Sequence, residues 1–216
     1  MGRSRVAVII PAYNEEKTLA RVIKTASSCG DVIVVNDCSS DNTQLISNKM
    51  KVQIVNLRSN LGYDKALNAG FRYAFVKKYD LFVTYDADGQ HTKKALKKML
   101  HLLSKYDVVV ANRINKQRLM EFIFGYFAKK VIGITDPLSG LKGYRRAVYE
   151  KIGYFDNLNS VGTQLLFSAY KHNFLIGQFF FKTRARQGAS KFGLVFLGNF
   201  KILRAMIKMI FFYFFE

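Results

Sequence analysis

The sequence is short of acid. Its 216 residues hold 15 Asp and Glu against 34 Lys and Arg, a formal net charge of +19. Such an excess points to an anionic partner: nucleic acid, an acidic membrane or a phosphorylated substrate. Composition does not choose among these. Cysteine is scarce too, and Cys29 and Cys38 are too few for a disulfide framework or a Cys-based zinc site. Three histidines, His91, His101 and His172, argue against a His-rich metal centre. No uninterrupted run approaches the roughly 18 apolar residues of a membrane-spanning helix. Gly-x-Gly-x-x-Gly and Gly-Lys-Ser/Thr loops are both missing, which argues against a dinucleotide dehydrogenase and a P-loop NTPase. The basic Met1–Arg5 stretch leads into an apolar run that meets Pro11 too early for a signal peptide, so the soluble part is expected on the cytoplasmic side, at the face of a membrane as a peripheral or monotopic protein.

What is present is the material of a globular fold: 50% hydrophobic and 23% charged residues, in a length suited to one domain, with or without an appendage. Short apolar runs at Val6–Ile10, Val32–Val35, Val52–Leu57, Leu81–Tyr85 and Val108–Ala111 predict buried strands. Helical periodicity fills the gaps, at Glu16–Ser28, Asn42–Lys49, Asp64–Lys78 and Lys93–Ser104. This alternation predicts an α/β fold, a parallel sheet with helices on both faces and ligand-binding loops at the carboxyl ends of the strands. Beyond Asn112 the pattern is looser. Gln117–Gly133 predicts a helix, Asp136–Tyr144 a turn running into a short strand, Gly162–His172 a helix, and Phe174–Thr183 a strand or hairpin arm.

Three polar clusters follow predicted strands and so converge on one rim. They are Pro11-Ala12-Tyr13-Asn14-Glu15-Glu16, Asn36-Asp37-Cys38-Ser39-Ser40-Asp41-Asn42-Thr43 and Asp86-Ala87-Asp88-Gly89-Gln90-His91. Singly, each has an innocent reading as a strand end, helix cap or turn. Together they suit a nucleotide-linked sugar. Two carboxylates spaced by one residue can face a Mg²⁺ or Mn²⁺ ion that bridges pyrophosphate oxygens. An Asp at the second strand end can hydrogen-bond a base or ribose, and Tyr13 can lie against the base.

The ordered set PAYNEE, VVNDCSSDNT, NLGYDKALNAG and DADGQH, spanning Val6–Arg113, resembles the inverting family 2 glycosyltransferases of GT-A fold. The resemblance implies that Pro11, Tyr13, Asn14, Glu15, Asp37 and Ala87 hold the nucleotide sugar. It makes Asp86 and Asp88 the metal-associated pair, with Gln90 a further ligand, and sets Arg113 near the phosphates. Asn36 stands where the family carries an Asp.

Two later stretches resemble the polyprenyl-phosphate sugar synthases within that family: Asp136-Pro137-Leu138-Ser139-Gly140-Leu141-Lys142-Gly143-Tyr144-Arg145-Arg146 and Arg184-Ala185-Arg186-Gln187-Gly188-Ala189-Ser190-Lys191. By that resemblance the donor is GDP-mannose or UDP-glucose and the acceptor a polyprenyl or dolichyl phosphate. Arg184, Arg186, Ser190 and Lys191 then supply charge-assisted hydrogen bonds to phosphate. The catalytic set is Asp88, Arg113 and Asp136, where Asp136 is either a base or a structural residue of its turn. A glycan or glycolipid acceptor is the alternative. Processive polysaccharide synthesis is disfavoured, because its Gln-x-x-Arg-Trp signature needs a Trp and the chain has none. A non-catalytic basic module is the distant alternative. The basic residues are dispersed and no nucleic-acid-binding module is recognisable, so nucleic acid is not an expected partner.

Phe192–Glu216 is rich in Phe, Leu, Ile and Met, with Lys201, Arg204 and Lys208 on one helical face. This basic amphipathic pattern predicts a helix on a membrane surface, against the alternatives of a core helix or part of an anchor. The expected organisation is a transferase domain over 1–191, with a nucleotide-sugar half (1–113) and an acceptor half (114–191), then an interface helix over 192–216.

Overall fold

A computed structural model describes residues 4–115, 118–184 and 195–215. Seven strands form one sheet in the order β3-β2-β1-β4-β6-β5-β7. The first half follows the expected alternation: β1 (Val6–Ala12), α1 (Leu19–Ser27), β2 (Asp31–Asn36), α2 (Thr43–Lys49), β3 (Gln53–Asn56), α3 (Tyr63–Val76), β4 (Leu81–Thr84), α4 (Lys93–Leu102) and β5 (Val108–Arg113). The second half adds α5 (Leu119–Ile132), β6 (Lys142–Arg145), α6 (Arg146–Ile152), α7 (Gln164–Lys171), β7 (Ile176–Phe181) and α8 (Val195–Phe215). The start expected for α5 at Gln117 lies outside the described residues, and α6 has no counterpart in the sequence reading.

The central strands are buried on both faces. Ala7 and Ile9 of β1 face one apolar cluster, shared with α3, α5, α7 and α8. Val8 and Ile10 face the other, shared with α1 and α4. Alternate side chains of a strand point to opposite faces, so a continuous apolar run is what a doubly covered strand requires. Gly70 lets α3 lie directly on β1, since a Cβ there would meet Ile9 Cγ2 at 2.3 Å.

The expectation of a parallel sheet needs one correction. β6 runs antiparallel between β4 and β5, pairing Thr84 with Lys142 and Val110 with Lys142 on its two sides. The remaining pairs are parallel. A four-residue strand carries no periodicity that reveals its direction. Its reversal has a functional consequence: the turn before it, Asp136–Gly140, folds over the carboxyl end of β4, where Asp86 begins its loop. β6 and β7 thus place the later half of the chain in the same sheet as the first.

Candidate active site

A cavity of about 960 Å³ opens at the carboxyl ends of β1, β2, β4 and β5. It is lined by Pro11–Glu15, Asp37, Asn60, Gly62–Asp64, Asp86–Asp88, Gln90, His91 and Arg113, and on its far side by Arg118, Glu121 and α8. Every nucleotide-sugar residue expected from the sequence therefore reaches one cavity.

The loops are held by each other. Asn14, in the left-handed region at φ 51°, receives a bond from Ser40 N–H through Oδ1 (2.9 Å) and donates its own N–H to Ser39 Oγ (3.0 Å). Its role is to tie the β1 loop to the β2 loop. Asp37 accepts the Leu61 and Gly62 amides at 2.7 and 2.8 Å, which places the loop leading into α3 on the cavity rim. Asn36 is buried, donates to Asn56 Oδ1 and accepts from Ser39 N–H. An amide that both donates and accepts explains Asn where a carboxylate could only accept.

The β4 loop is built as a tight turn. Asp88 Oδ1 accepts the Gln90 amide at 3.0 Å, Gly89 takes φ 76°, and Tyr85 Oη donates to His91 O at 2.9 Å. Thr92 then caps α4 by accepting the Ala95 amide. Asp86 is contacted by His91 Nε2 (3.2 Å) and Tyr63 Oη (3.3 Å). Burial alone would raise its pKa. The His91 and Tyr63 hydrogen bonds and the Arg113 charge outweigh that and hold it below the usual carboxylate value. A Cβ on Gly140 would meet Asp86 Oδ2 at 1.8 Å, so only glycine allows the Asp136–Gly140 turn to close over it.

Among the described residues no group of three His, Cys, Asp or Glu side chains is placed to cage a metal ion. Asp86, Asp88 and Gln90 do all line the cavity, and their oxygen atoms are of the type that a hard cation prefers. Such an ion takes one or two protein carboxylates and fills its remaining positions with water and substrate phosphate.

Arg113, at the end of β5, is a half-buried cation of this rim. Its Nε and Nη2 reach Asp136 Oδ2 and Oδ1 at 2.8 and 3.0 Å, and its backbone N–H reaches Oδ2 at 3.0 Å. Glu121 Oε1 lies 3.8 Å from Nη1. Burial would lower the Arg113 pKa, but Asp136 and Glu121 raise it, so its charge is permanent. Both oxygens of Asp136 are committed to this fork and the residue is buried. Of its two open readings, the geometry supports the structural one: it positions Arg113.

The remaining acceptor residues divide. Arg184 is exposed, is not among the cavity-lining residues, and donates its backbone N–H to Gln90 O at 3.0 Å. Arg186, Ser190 and Lys191 lie outside the described residues.

Sequence reasoning missed two features. The first is α8: Lys201, Arg204 and Lys208, expected only to share one face of a membrane-surface helix, line the cavity. The second is a buried polar group behind it. Lys142 donates to Gly162 O at 2.7 Å, and burial pushes its pKa down to about 8 despite the charges of Asp136, Asp156 and Asp64. Asp156 accepts the Leu158, Ser160 and Gly162 amides. They fold 156–163 into a turn in which Asn159, Val161 and Gly162 have positive φ. Asp64 Oδ2 accepts the Val161 amide while Oδ1 has no partner, and burial, with the Asp156 charge, pushes the Asp64 pKa up to about 7.

A raised folded-state pKa means that the folded form holds the proton more tightly than the unfolded form, whose Asp titrates near about 4. The Asp64 contribution is therefore full below pH 4 and is lost as pH rises to about 7. Asp64→Asn keeps an acceptor for Val161 and removes the titration. Relative to wild type it is expected to gain on the order of a few kcal/mol between pH 4 and pH 8. Urea midpoints at both pH values check this, and parallel pH profiles for the two proteins would refute it.

Residues 7–153 match the family model described as glycosyl transferase family 2. The chain belongs to this family. It is a glycosyltransferase, and its mixed sheet flanked by helices is the GT-A fold expected from the sequence. The transferase is 28% identical over 161 residues to the undecaprenyl-phosphate mannosyltransferase of Micrococcus luteus, covering 65% of this chain and 66% of that one. It is also 28% identical over 186 residues to the dolichol-phosphate mannosyltransferase of Pyrococcus furiosus, covering 75% and 51%. The chain thus spans only about half to two thirds of the length of these relatives. Among solved structures, glucosyl-3-phosphoglycerate synthase of Mycobacterium tuberculosis, crystallised with Mn²⁺, UDP and phosphoglyceric acid, superposes with a TM-score of 0.73 at 19% identity. That match covers 94% of this chain and 78% of the synthase.

Proposed function

We propose that the transferase moves a hexose from a nucleotide sugar, GDP-mannose before UDP-glucose, to a polyprenyl or dolichyl phosphate at a membrane surface. The observation that carries this reading is that one cavity is lined both by the strand-end carboxylates Asp37, Asp86 and Asp88 and by the cations Arg113, Arg118, Lys201, Arg204 and Lys208. The curated relatives named for polyprenyl-phosphate acceptors support it.

In this reading Pro11, Tyr13, Asn14, Glu15 and Asp37 form the nucleotide end of the cavity. Asp86, Asp88 and Gln90 would hold Mg²⁺ or Mn²⁺, which when bound offsets charge on the departing nucleoside diphosphate. Arg113, fixed by Asp136 and Glu121, presents its remaining N–H groups to phosphate oxygens. An oxygen of the lipid phosphate attacks the anomeric carbon opposite the leaving group. The new carbon–oxygen bond forms as the bond to the diphosphate breaks, and configuration inverts. A phosphate monoester is mostly dianionic at neutral pH, with a second pKa of about 6, so the nucleophile needs no general base. Asp136 accordingly need not serve as one. The segment 184–191 is proposed to bring further cations, Arg184, Arg186 and Lys191, with Ser190.

No helix among the described residues is long and apolar enough to cross a membrane. Membrane contact is proposed instead for the outer faces of α5 and α8, which pack together and expose Leu119, Phe122 and Tyr126 beside Phe196, Phe200, Phe211 and Phe214.

The test supplies labelled GDP-mannose and UDP-glucose in parallel to detergent-solubilised protein with Mn²⁺ and a polyprenyl phosphate. Label entering the organic phase from one donor, and stopped by EDTA, is the expected result. Transfer to a glycan acceptor alone would replace this reading with the alternative.

A further inference from the structure

Lys201, Arg204 and Lys208 occupy an unusual position on α8. Successive helical residues are about 100° apart, so spacings of three and four keep them on one strip. On one flank of the strip Ile202, Ala205, Met209 and Phe212 are buried against the body of the protein. On the other flank Phe200, Ile207 and Phe211 are 55–61% exposed. The strip thus runs along the border between the packed face and the apolar outer face, and its three residues line the active-site cavity.

Their charges are uncompensated. Arg113 and Arg118, the other cations of that wall, face Asp136 and Glu121. Lys201 and Arg204 make no hydrogen bond or ion pair among the described residues, and Lys208 donates only to the backbone carbonyl of Leu158. Three cations gathered on a cavity wall, with no ion pair to a carboxylate among the described residues, offer an anion subsite.

We propose that this strip receives the phosphate monoester of the acceptor while its hydrocarbon chain leaves along the exposed apolar flank. The inference rests on the lipid-phosphate reading above and adds the residues that select that acceptor. A phosphate held on α8 sits at the level of the membrane surface, because the same helix turns its Phe-rich side outward. Arg204 and Lys208 then act on acceptor affinity, whereas the β4 loop acts on the donor.

The experiment measures steady-state kinetics of Arg204→Gln, Lys208→Gln and the triple variant with Lys201→Gln, on a long-chain lipid phosphate in vesicles and on a short water-soluble prenyl phosphate. The acceptor KM is expected to rise about tenfold for each charge-assisted hydrogen bond removed, on both acceptors, with donor KM unchanged. Arg204→Lys, which keeps the charge, should retain most of the affinity. Arg204 makes no hydrogen bond or ion pair among the described residues, so the thermal midpoint of Arg204→Gln should not move, whereas the Lys208 variants lose one bond to Leu158 O. An equal rise in donor KM would assign the strip to the donor pyrophosphate and overturn the proposal. A loss confined to vesicle-borne acceptor would assign it to bilayer headgroups and overturn the proposal equally. A wild-type enzyme silent with every lipid phosphate would remove the lipid-phosphate reading itself. An active wild type with an unchanged triple variant removes only this one.

Discussion

Asp88→Asn is expected to lower kcat by about 10²–10³-fold, the loss typical when one preorganised electrostatic contact to developing charge is removed. The asparagine retains a side-chain oxygen for the Gln90 amide, so the turn that Asp88 closes survives, and urea unfolding should be nearly unchanged. Asp88→Ala removes the acceptor as well. It should add about 1 kcal/mol of destabilisation to the same catalytic defect. Comparing the two separates charge from turn geometry. A near-normal rate in Asp88→Asn would sink the assignment of this carboxylate to donor chemistry, whatever its effect on stability.

Arg113→Ala is expected to be the most damaging single change for the folded state. Asp136 and Glu121 are both buried, and the Arg113 guanidinium provides Asp136 with two hydrogen bonds that alanine removes, leaving only the backbone N–H. Removing one partner of a buried ion pair leaves an uncompensated charge, at a cost of about 3–5 kcal/mol. The cost has a pH signature. A stranded Asp136 acquires a folded-state pKa above its unfolded value, so stability lost at neutral pH should return as pH falls toward about 4. Denaturant midpoints across that range measure it. Adding Asp136→Asn should recover part of the loss, because the variant then buries a neutral amide. Activity should not recover, since the cation facing the cavity is still missing. Equal stability of Arg113→Ala and wild type at pH 7 would contradict this role for the fork.

The sequence disclosed the sheet through its β-rich runs because strands buried on both faces cannot be anything but apolar. Val32–Val35 and Val108–Ala111 are each wholly buried. The three rim clusters were legible for a related reason: each follows such a run, and parallel strands bring their carboxyl ends together. Three things stayed hidden. The reversal of β6 depends on long-range pairing with Thr84 and Val110, and no local pattern encodes it. The cavity contact of α8 was not legible, because periodicity shows which residues share a face but not what that face meets. Lys201, Arg204 and Lys208 share one strip of the helix, as their spacing predicts, and that strip lines the cavity. The Asp64–Lys142–Asp156 group was invisible because its members are widely separated in sequence and converge only when α3, β6 and the 156–163 turn are packed.

These elements converge on one claim, that the cavity joins a sugar to a lipid-borne phosphate. The most direct test is mass spectrometry of the lipid recovered after incubation of the purified protein with Mn²⁺, donor and a polyprenyl phosphate. The expected product is a lipid phosphate heavier by one hexosyl residue, linked as a phosphodiester in the inverted anomeric configuration. Donor consumed while the lipid phosphate is recovered unchanged would contradict that claim.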